Sequence, residues 1–277
     1  QDLKRVIAAC NGKAGRITVL MPFLYESRQH RRTGRESLDC AMMLRELENM
    51  GVHDLITFDA HDPRVQNSIP FSGFEDVSPA LQFTQALLTE YEDLRLDPAH
   101  MMFISPDEGA TQRVVFMASI FGVNIGMFYK RRDYSTIVNG MNPIIAHDFC
   151  GESVEGKDVV VVDDMISSGG SMIDVACQLK ERGAKRVFMF ATFGLFTNGF
   201  CEFDKAYSEG IFDRVFTTNL IHQKPELLER EWYFSVEMNR YVAAIIDTLN
   251  KGKSMSDLIR PAERIKELVE IYRGKNV

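Results

Sequence analysis

The chain has 277 residues, 45% apolar and 26% charged, with 32 basic against 39 acidic side chains for a net charge of −7. That length suits about two domains of roughly 100–200 residues each. The acidic balance argues against a general nucleic-acid binder, and no apolar run approaches the roughly 18 residues of a membrane-spanning helix. Five cysteines (Cys10, Cys40, Cys150, Cys177 and Cys201) are scattered and unpaired in spacing. They read as reduced thiols, not as a disulfide frame or zinc site, and with no secretory signal visible a cytoplasmic location is expected.

Strand and helix signals alternate along the chain, with chemistry-bearing residues behind each strand. Arg16–Pro22 (RITVLMP) reads as a strand, and FLYESRQHRRTGRES behind it gathers Arg28, Gln29, His30, Arg31, Arg32 and Arg35. Leu38–Met50 has helical spacing and stops at Gly51; Asp54–Asp59 is a strand followed by DAHDPRVQ, with Asp59, His61 and Asp62. Pro79–Tyr91 is helical. Met101–Ser105 is a strand leading into SPDEGATQR with Asp107, Thr111–Phe121 a helix, and Ile125–Tyr129 a strand leading into KRRDY. Val159–Val162 is a strand, Ser171–Arg182 a helix stopped by Gly183, and Arg186–Thr192 a strand. This alternation predicts an α/β fold with mostly parallel sheets flanked by helices. In such sheets ligands sit beyond the carboxyl ends of strands.

The stretch VVVVDDMISSGGSM, Val159–Met172, is the most informative. Four valines suit a strand buried on both faces. The turn Ser167-Ser168-Gly169-Gly170-Ser171 opens a helix, and a Gly/Ser turn at a helix N-terminus points N–H groups and a favourable dipole at one spot, a phosphate cradle. An ordinary N-capped loop has the same local look. Asp163 and Asp164 before it favour the cradle, because adjacent carboxylates are tolerable where ribose hydroxyls or a cation answer them. Elsewhere, Arg28 and Gln29 are suited to phosphate oxygens, and Asp59, His61 and Asp107 to a magnesium site in which the imidazole acts through water or a shared role. Lys130, Arg131 and Arg132 are three successive cations able to neutralise a reacting phosphate from a mobile segment reaching to about Asp148. A solvated basic turn is their bland alternative.

Taken in order, these blocks resemble the ribose-phosphate pyrophosphokinase family, the phosphoribosyl diphosphate (PRPP) synthetases. ITVLMPFLYESRQHRR resembles the family's strand and Tyr-x-x-Arg-Gln-Asp segment, and DLITFDAHD its Asp-Leu-His-Ala block. ISPDEGATQR resembles Ser-Pro-Asp-x-Gly-Gly, KRR falls at the family's flexible loop, and VVVVDDMISSGGSM resembles the type I phosphoribosyltransferase motif. AAIIDTLNKGKSMSDL resembles the closing helix and Ser-x-Ser segment, so the likeness is collinear over nearly all of Gln1–Leu258.

The resemblance implies two type I phosphoribosyltransferase-like lobes: residues 1–78 as the remainder of an ATP-side lobe, 79–250 as a ribose 5-phosphate lobe, and 251–277 as a helical extension. It implies transfer of the diphosphoryl group of ATP to the C1 hydroxyl of ribose 5-phosphate, with Mg²⁺, in a homo-oligomer whose site lies between lobes. ATP contacts would come from Arg28, Gln29 and His61, and metal contacts from His61 and Asp107. Asp163 and Asp164 would take the ribose hydroxyls, Ser167, Ser168, Gly169, Gly170 and Ser171 the 5-phosphate, and Lys130 and Arg132 would be catalytic. No nucleic-acid or membrane partner is implied.

There are departures. The 5-phosphate loop usually reads Asp-Thr-x-Gly-Thr, Phe193 replaces a family histidine, and Asp62 and Arg64 are extra charges. The family's Asp-Gly-Glu segment has no counterpart, so an N-terminal portion is expected to lie outside this chain. ISSGGS alone would also suit a nucleobase phosphoribosyltransferase, and the changed loop a non-catalytic regulatory relative.

Overall fold

The computed structural model describes residues 1–132 and 144–275, and the backbone alone for 130–132 and 144–147. The chain divides into two compact units, Gln1–Pro79 and Ala80–Val277.

The first unit contains α1 (Asp2–Cys10), β1 (Thr18–Leu20), α2 (Asp39–Asn49), β2 (Asp54–Phe58), a 3₁₀ turn at Pro63–Ser68 and β3 (Gly73–Val77). The strands form a parallel sheet in the order β1-β2-β3. Ile7, Val19, Leu44, Leu47 and Leu55 share its core. Two elements here escape a periodicity reading. Helix α1 buries Ile7 alone and has no side-chain N-cap. Strand β3 (GFEDV) is mostly exposed or half-buried, so it shows no apolar run.

The second unit contains α3 (Ala80–Glu90), β4 (Met101–Ser105), α4 (Thr111–Phe121), β5 (Asn124–Arg132), β6 (Ile144–Cys150), β7 (Asp158–Ile166), α5 (Gly170–Glu181), β8 (Arg186–Gly194), α6 (Cys201–Ser208), β9 (Arg214–Thr218), α7 (Pro225–Leu228), β10 (Tyr233–Val236), α8 (Asn239–Asn250), α9 (Ser256–Ile259) and α10 (Ala262–Lys275). Its sheet runs β10-β9-β8-β7-β4-β5-β6, parallel throughout except for the β5–β6 pair. Helix α4 stops at Gly122, whose φ of 61° is the left-handed conformation that a C-terminal glycine adopts without strain.

Two boundaries differ from the sequence reading. The carboxylates do not follow the valine strand but lie inside it: β7 continues to Ile166, pairing Asp163 with Ala191 and Ile166 with Gly194. A neighbour that stays extended keeps the ladder going whatever the side chains are. Likewise Lys130, Arg131 and Arg132 are backbone-paired with His147, Ala146 and Ile144, where a loop was expected. A ladder uses only main-chain groups, and charged side chains suit the outer rows of a sheet. The rest of the expected mobile segment, 133–143, lies outside the described residues.

Helix α10 packs on α3 and α4. Its Tyr272 hydroxyl donates to the Tyr91 carbonyl at 2.6 Å and accepts the buried Leu94 N–H at 3.0 Å. Arg273 donates to the carbonyls of Leu96 and Phe121, the last residue of α4. Replacing Tyr272→Phe strands the Leu94 N–H in an apolar setting. The expected cost is about 1–3 kcal/mol, read as a lower urea midpoint at unchanged slope.

Candidate functional site: two strand-edge clusters

In the second unit the chemistry gathers at the carboxyl edge of β4 and β7, which pair directly through Ile104 and Val161. Every residue of β7 is buried except Asp163, which is half-buried. Burial, the adjacent Asp164 and, more weakly, Asp107 hold the Asp163 carboxyl well above the usual carboxylate range. Asp163 also accepts the Asp164 N–H at 2.8 Å. Asp107 is fixed from its own side, its carboxylate accepting the Gly109 N–H at 2.9 Å. The structure therefore brings Asp107, Asp163 and Asp164 together.

The turn after β7 is tied down through its carbonyls: Ile166 accepts the Leu195 N–H and Ser167 the Thr197 N–H, both at 2.9 Å. Gly169 is the N-cap of α5 with φ of 94°, and no described side chain caps that helix end. An uncapped, ordered N-terminus at a strand edge is the geometry that binds an anion. The two glycines have different reasons. A Cβ on Gly169 would lie 2.2 Å from the Phe203 ring, whereas a Cβ on Gly170 meets nothing within 4 Å. Gly169 is fixed by packing, and Gly170 borders open space beside Ser168 and Ser171. Phe193, where the resemblance expects histidine, is buried.

In the first unit the cluster follows β1 and β2. Asp59 ends β2 with φ of 44°, a strained value for a non-glycine residue and one that asparagine and aspartate tolerate best. Its N–H donates to Val77 and the Ala60 N–H to the Asp76 carboxylate at 2.9 Å, so β3 holds this reversal. His61 lies just beyond, its ring 5.4 Å from that of His30 at 65°. His30 Nδ1 is 3.0 Å from the Asp62 carboxylate, and burial lowers the imidazole's affinity for a second proton. Asp62 in turn is gripped by Arg64, Nε to Oδ1 at 2.9 Å and Nη2 to Oδ2 at 2.5 Å, and accepts the Arg64 N–H, so its carboxyl lies far below the usual range. Arg28 is exposed. The Gln29 amide is spent on its own loop, donating to the Ser37 carbonyl at 2.9 Å. The sequence named His30, Asp62 and Arg64 but not their association; the signal was the pair of unmatched charges behind DAH.

The Lys130 and Arg132 side chains lie outside the described residues. Among those described, no group of three or more His, Cys, Asp or Glu side chains converges on a metal-sized space. The two edges differ in donor chemistry. Asp107, Asp163 and Asp164 offer oxygens alone, which fit Mg²⁺; His30 and His61 offer nitrogens, which do not.

Residues 85–230 match the phosphoribosyl transferase domain, and residues 1–51 match the N-terminal domain of ribose phosphate pyrophosphokinase. A ribose-phosphate pyrophosphokinase of Vibrio parahaemolyticus is 32% identical over 247 residues, covering 88% of this chain and 73% of that protein. The chain belongs to the ribose-phosphate pyrophosphokinase family. A Pasteurella multocida member is 29% identical over 254 residues, 91% of this chain and 76% of its own. The fold is that of the phosphoribosylpyrophosphate synthetase from Mycobacterium smegmatis, with a TM-score of 0.74 at 22% identity over 91% of this chain and 77% of that one.

Two outcomes follow for this family member. The folded state holds the Asp163 proton more tightly than the unfolded chain does. The stability tied to that proton is therefore full below the ordinary carboxylate range and is lost as pH rises through the raised folded value. Asp163→Asn should accordingly melt higher than the parent at neutral and alkaline pH, with the gap closing toward about pH 4. It should also weaken ribose 5-phosphate binding by about 1.5–3 kcal/mol. Melting curves across pH and calorimetry check both. Because Gly170 faces open space, Gly170→Val should melt close to the parent yet lose sugar-phosphate binding and keep ATP binding. Retained ribose 5-phosphate affinity would move the cradle elsewhere.

Proposed function

We propose that this chain is a ribose-phosphate diphosphokinase, transferring the β,γ-diphosphoryl group of ATP to the C1 hydroxyl of ribose 5-phosphate to give PRPP and AMP. The observation that carries this is the presence in one chain of both clusters, within a collinear 32% identity to a named ribose-phosphate pyrophosphokinase. A nucleobase phosphoribosyltransferase has no use for the first cluster, and the match of residues 1–51 to the pyrophosphokinase N-terminal domain speaks against it.

The residues divide the work by chemistry. The N–H groups of 167–171 and the α5 dipole hold the 5-phosphate dianion. Asp163 and Asp164 accept the ribose hydroxyls, which fixes the C1 hydroxyl for attack on the β-phosphorus. Arg28 faces nucleotide phosphate oxygens. Lys130 and Arg132 neutralise charge on the diphosphoryl group as it moves from the AMP oxygen to C1 oxygen, whose proton is released. Asp107 and Asp163 are the residues that would hold Mg²⁺ on this edge, where it would supply charge neutralisation on phosphate oxygens. Positioning and electrostatics carry such a transfer, with little covalent work for the protein. On this reading the enzyme operates as a cytosolic homo-oligomer. Among the described residues no helix is long and apolar enough to cross a membrane.

The test is incubation of the chain with ATP, Mg²⁺ and ribose 5-phosphate, with AMP and PRPP measured together. Lys130→Ala and Arg132→Ala should each lower turnover by about 10³-fold or more with milder changes in substrate affinity, the pattern of groups that act in the transition state. Near-normal turnover in both variants would return the basic stretch to a solvated turn, and a non-catalytic relative would form no AMP at all.

A further inference from the structure

The first-unit cluster departs from what Mg²⁺ asks for. In the family segments this chain resembles, an Asp occupies the position of His30 and an Ala that of Asp62; here an imidazole stands at 30, an acid at 62 and Arg64 close behind it. Asp62 takes no part in ligation itself. Its two oxygens are occupied by the Arg64 N–H, the Arg64 guanidinium and His30 Nδ1. A carboxylate held this way is an acceptor, so the proton sits on His30 Nδ1 and the lone pair on Nε2. An imidazole oriented through its other nitrogen by a carboxylate is the arrangement that metal-ligating histidines share.

The second imidazole, His61, is at a suitable distance. A metal about 2.0–2.1 Å from an imidazole nitrogen lies about 3.2 Å from the ring centre. If a nitrogen of each ring faces one ion, a ring separation of 5.4 Å corresponds to roughly 115° at it, near the tetrahedral value. Two nitrogens are too few for a resident ion, in keeping with the lack of any group of three or more ligating side chains among the described residues. They do suffice for an ion that arrives on phosphate oxygens, as nucleotide-borne cations do.

We propose that His30 and His61 together receive the divalent cation carried by the nucleotide, with Asp62 as the positioning residue, and that this paired-imidazole site prefers Mn²⁺ or Co²⁺ to Mg²⁺. The inference rests on the ATP-side reading of this cluster. Imidazole suits transition ions, and affinity at nitrogen sites rises from Mn²⁺ through Co²⁺, whereas Mg²⁺ favours oxygens and keeps its waters.

The test is binding, not turnover. A non-hydrolysable ATP analogue is titrated into the full chain by calorimetry with Mn²⁺ or Mg²⁺, and the Mn²⁺ complex is examined by pulsed electron paramagnetic resonance for nitrogen couplings. The expected result is at least about tenfold tighter binding with Mn²⁺ and couplings from two imidazoles. Asp62→Asn should weaken the Mn²⁺ complex by about 10–100-fold, and His30→Ala should remove one coupling and the metal preference. His30→Gln, which can still donate to Asp62, should do the same in a folded protein if the alanine variant does not fold. Equal affinity with both ions and no nitrogen coupling overturns the inference and leaves the diphosphokinase reading intact. Failure to bind nucleotide with either ion overturns both.

Discussion

The burial of β7 is the constraint on which the sugar-phosphate edge depends. A central parallel strand has neighbours on both sides and cover on both faces, so any charge it carries is taken out of water. The strand carries charge at both ends, and the two ends are treated oppositely. At the amino end Asp158 meets Arg186 in a two-pronged contact, Nε and Nη2 each at 2.8 Å from a carboxylate oxygen. At the carboxyl end the charged neighbours acting on Asp163 are Asp164 and Asp107. The first end is a finished ion pair and contributes to the fold. At the second, burial and two neighbouring carboxylates raise the Asp163 carboxyl above its ordinary range, and it is the end where a ligand of hydroxyls or a cation would complete the set.

Backbone strain has a parallel role in the two units. Asp59 and Gly169 both take left-handed conformations just beyond a buried strand. At Gly169 the strain is relieved by the residue type, and Phe203 beneath it forbids any larger one. At Asp59 it is relieved by neighbours, since Val77 and Asp76 bind the N–H groups on either side of the turn. The polar strand β3 is thus the support that sets the direction in which the chain carries His61 out of the sheet. Its exposed acidic character, which hid it as a strand, is the same character that lets Asp76 cap the reversal.

The strongly apolar parts of this architecture were legible in the sequence. The valines of β7, the helical stripes of α2, α4 and α5 and the glycines behind them led to the alternating α/β reading, and the Gly/Ser turn to the start of α5. What stayed hidden has physical causes in common. Strands β3 and β6 lie at sheet edges, where backbone pairing needs no apolar pattern, and Lys130–Arg132 continue β5 through main-chain pairing with β6. Asp163 and Asp164 looked like the start of a loop because charged residues are rare within strands; the β8 ladder, a long-range partner, keeps them inside one. A helix and a strand, α2 and β2, separate His30 from Asp62 along the chain, so their contact could not be seen although both residues were singled out.

That contact shows why the changes in the first cluster belong together. An imidazole at position 30 without Asp62 would have no fixed tautomer, and its nitrogen lone pair would have no fixed site. A largely buried Asp62 without Arg64 would be a desolvated charge with only a neutral histidine to answer it, an arrangement that is costly on its own. Arg64 without Asp62 would be one more exposed cation among Arg28, Arg31 and Arg32, repelling any protonated form of His30. Each residue is reasonable only given the other two, and the 3₁₀ turn that Asp62 caps holds two of the three within one turn of backbone. A charge network organised around a histidine with a directed lone pair is a specific solution. It selects for whatever fills that lone pair, and for two imidazoles the filler that chemistry favours is a nitrogen-seeking cation.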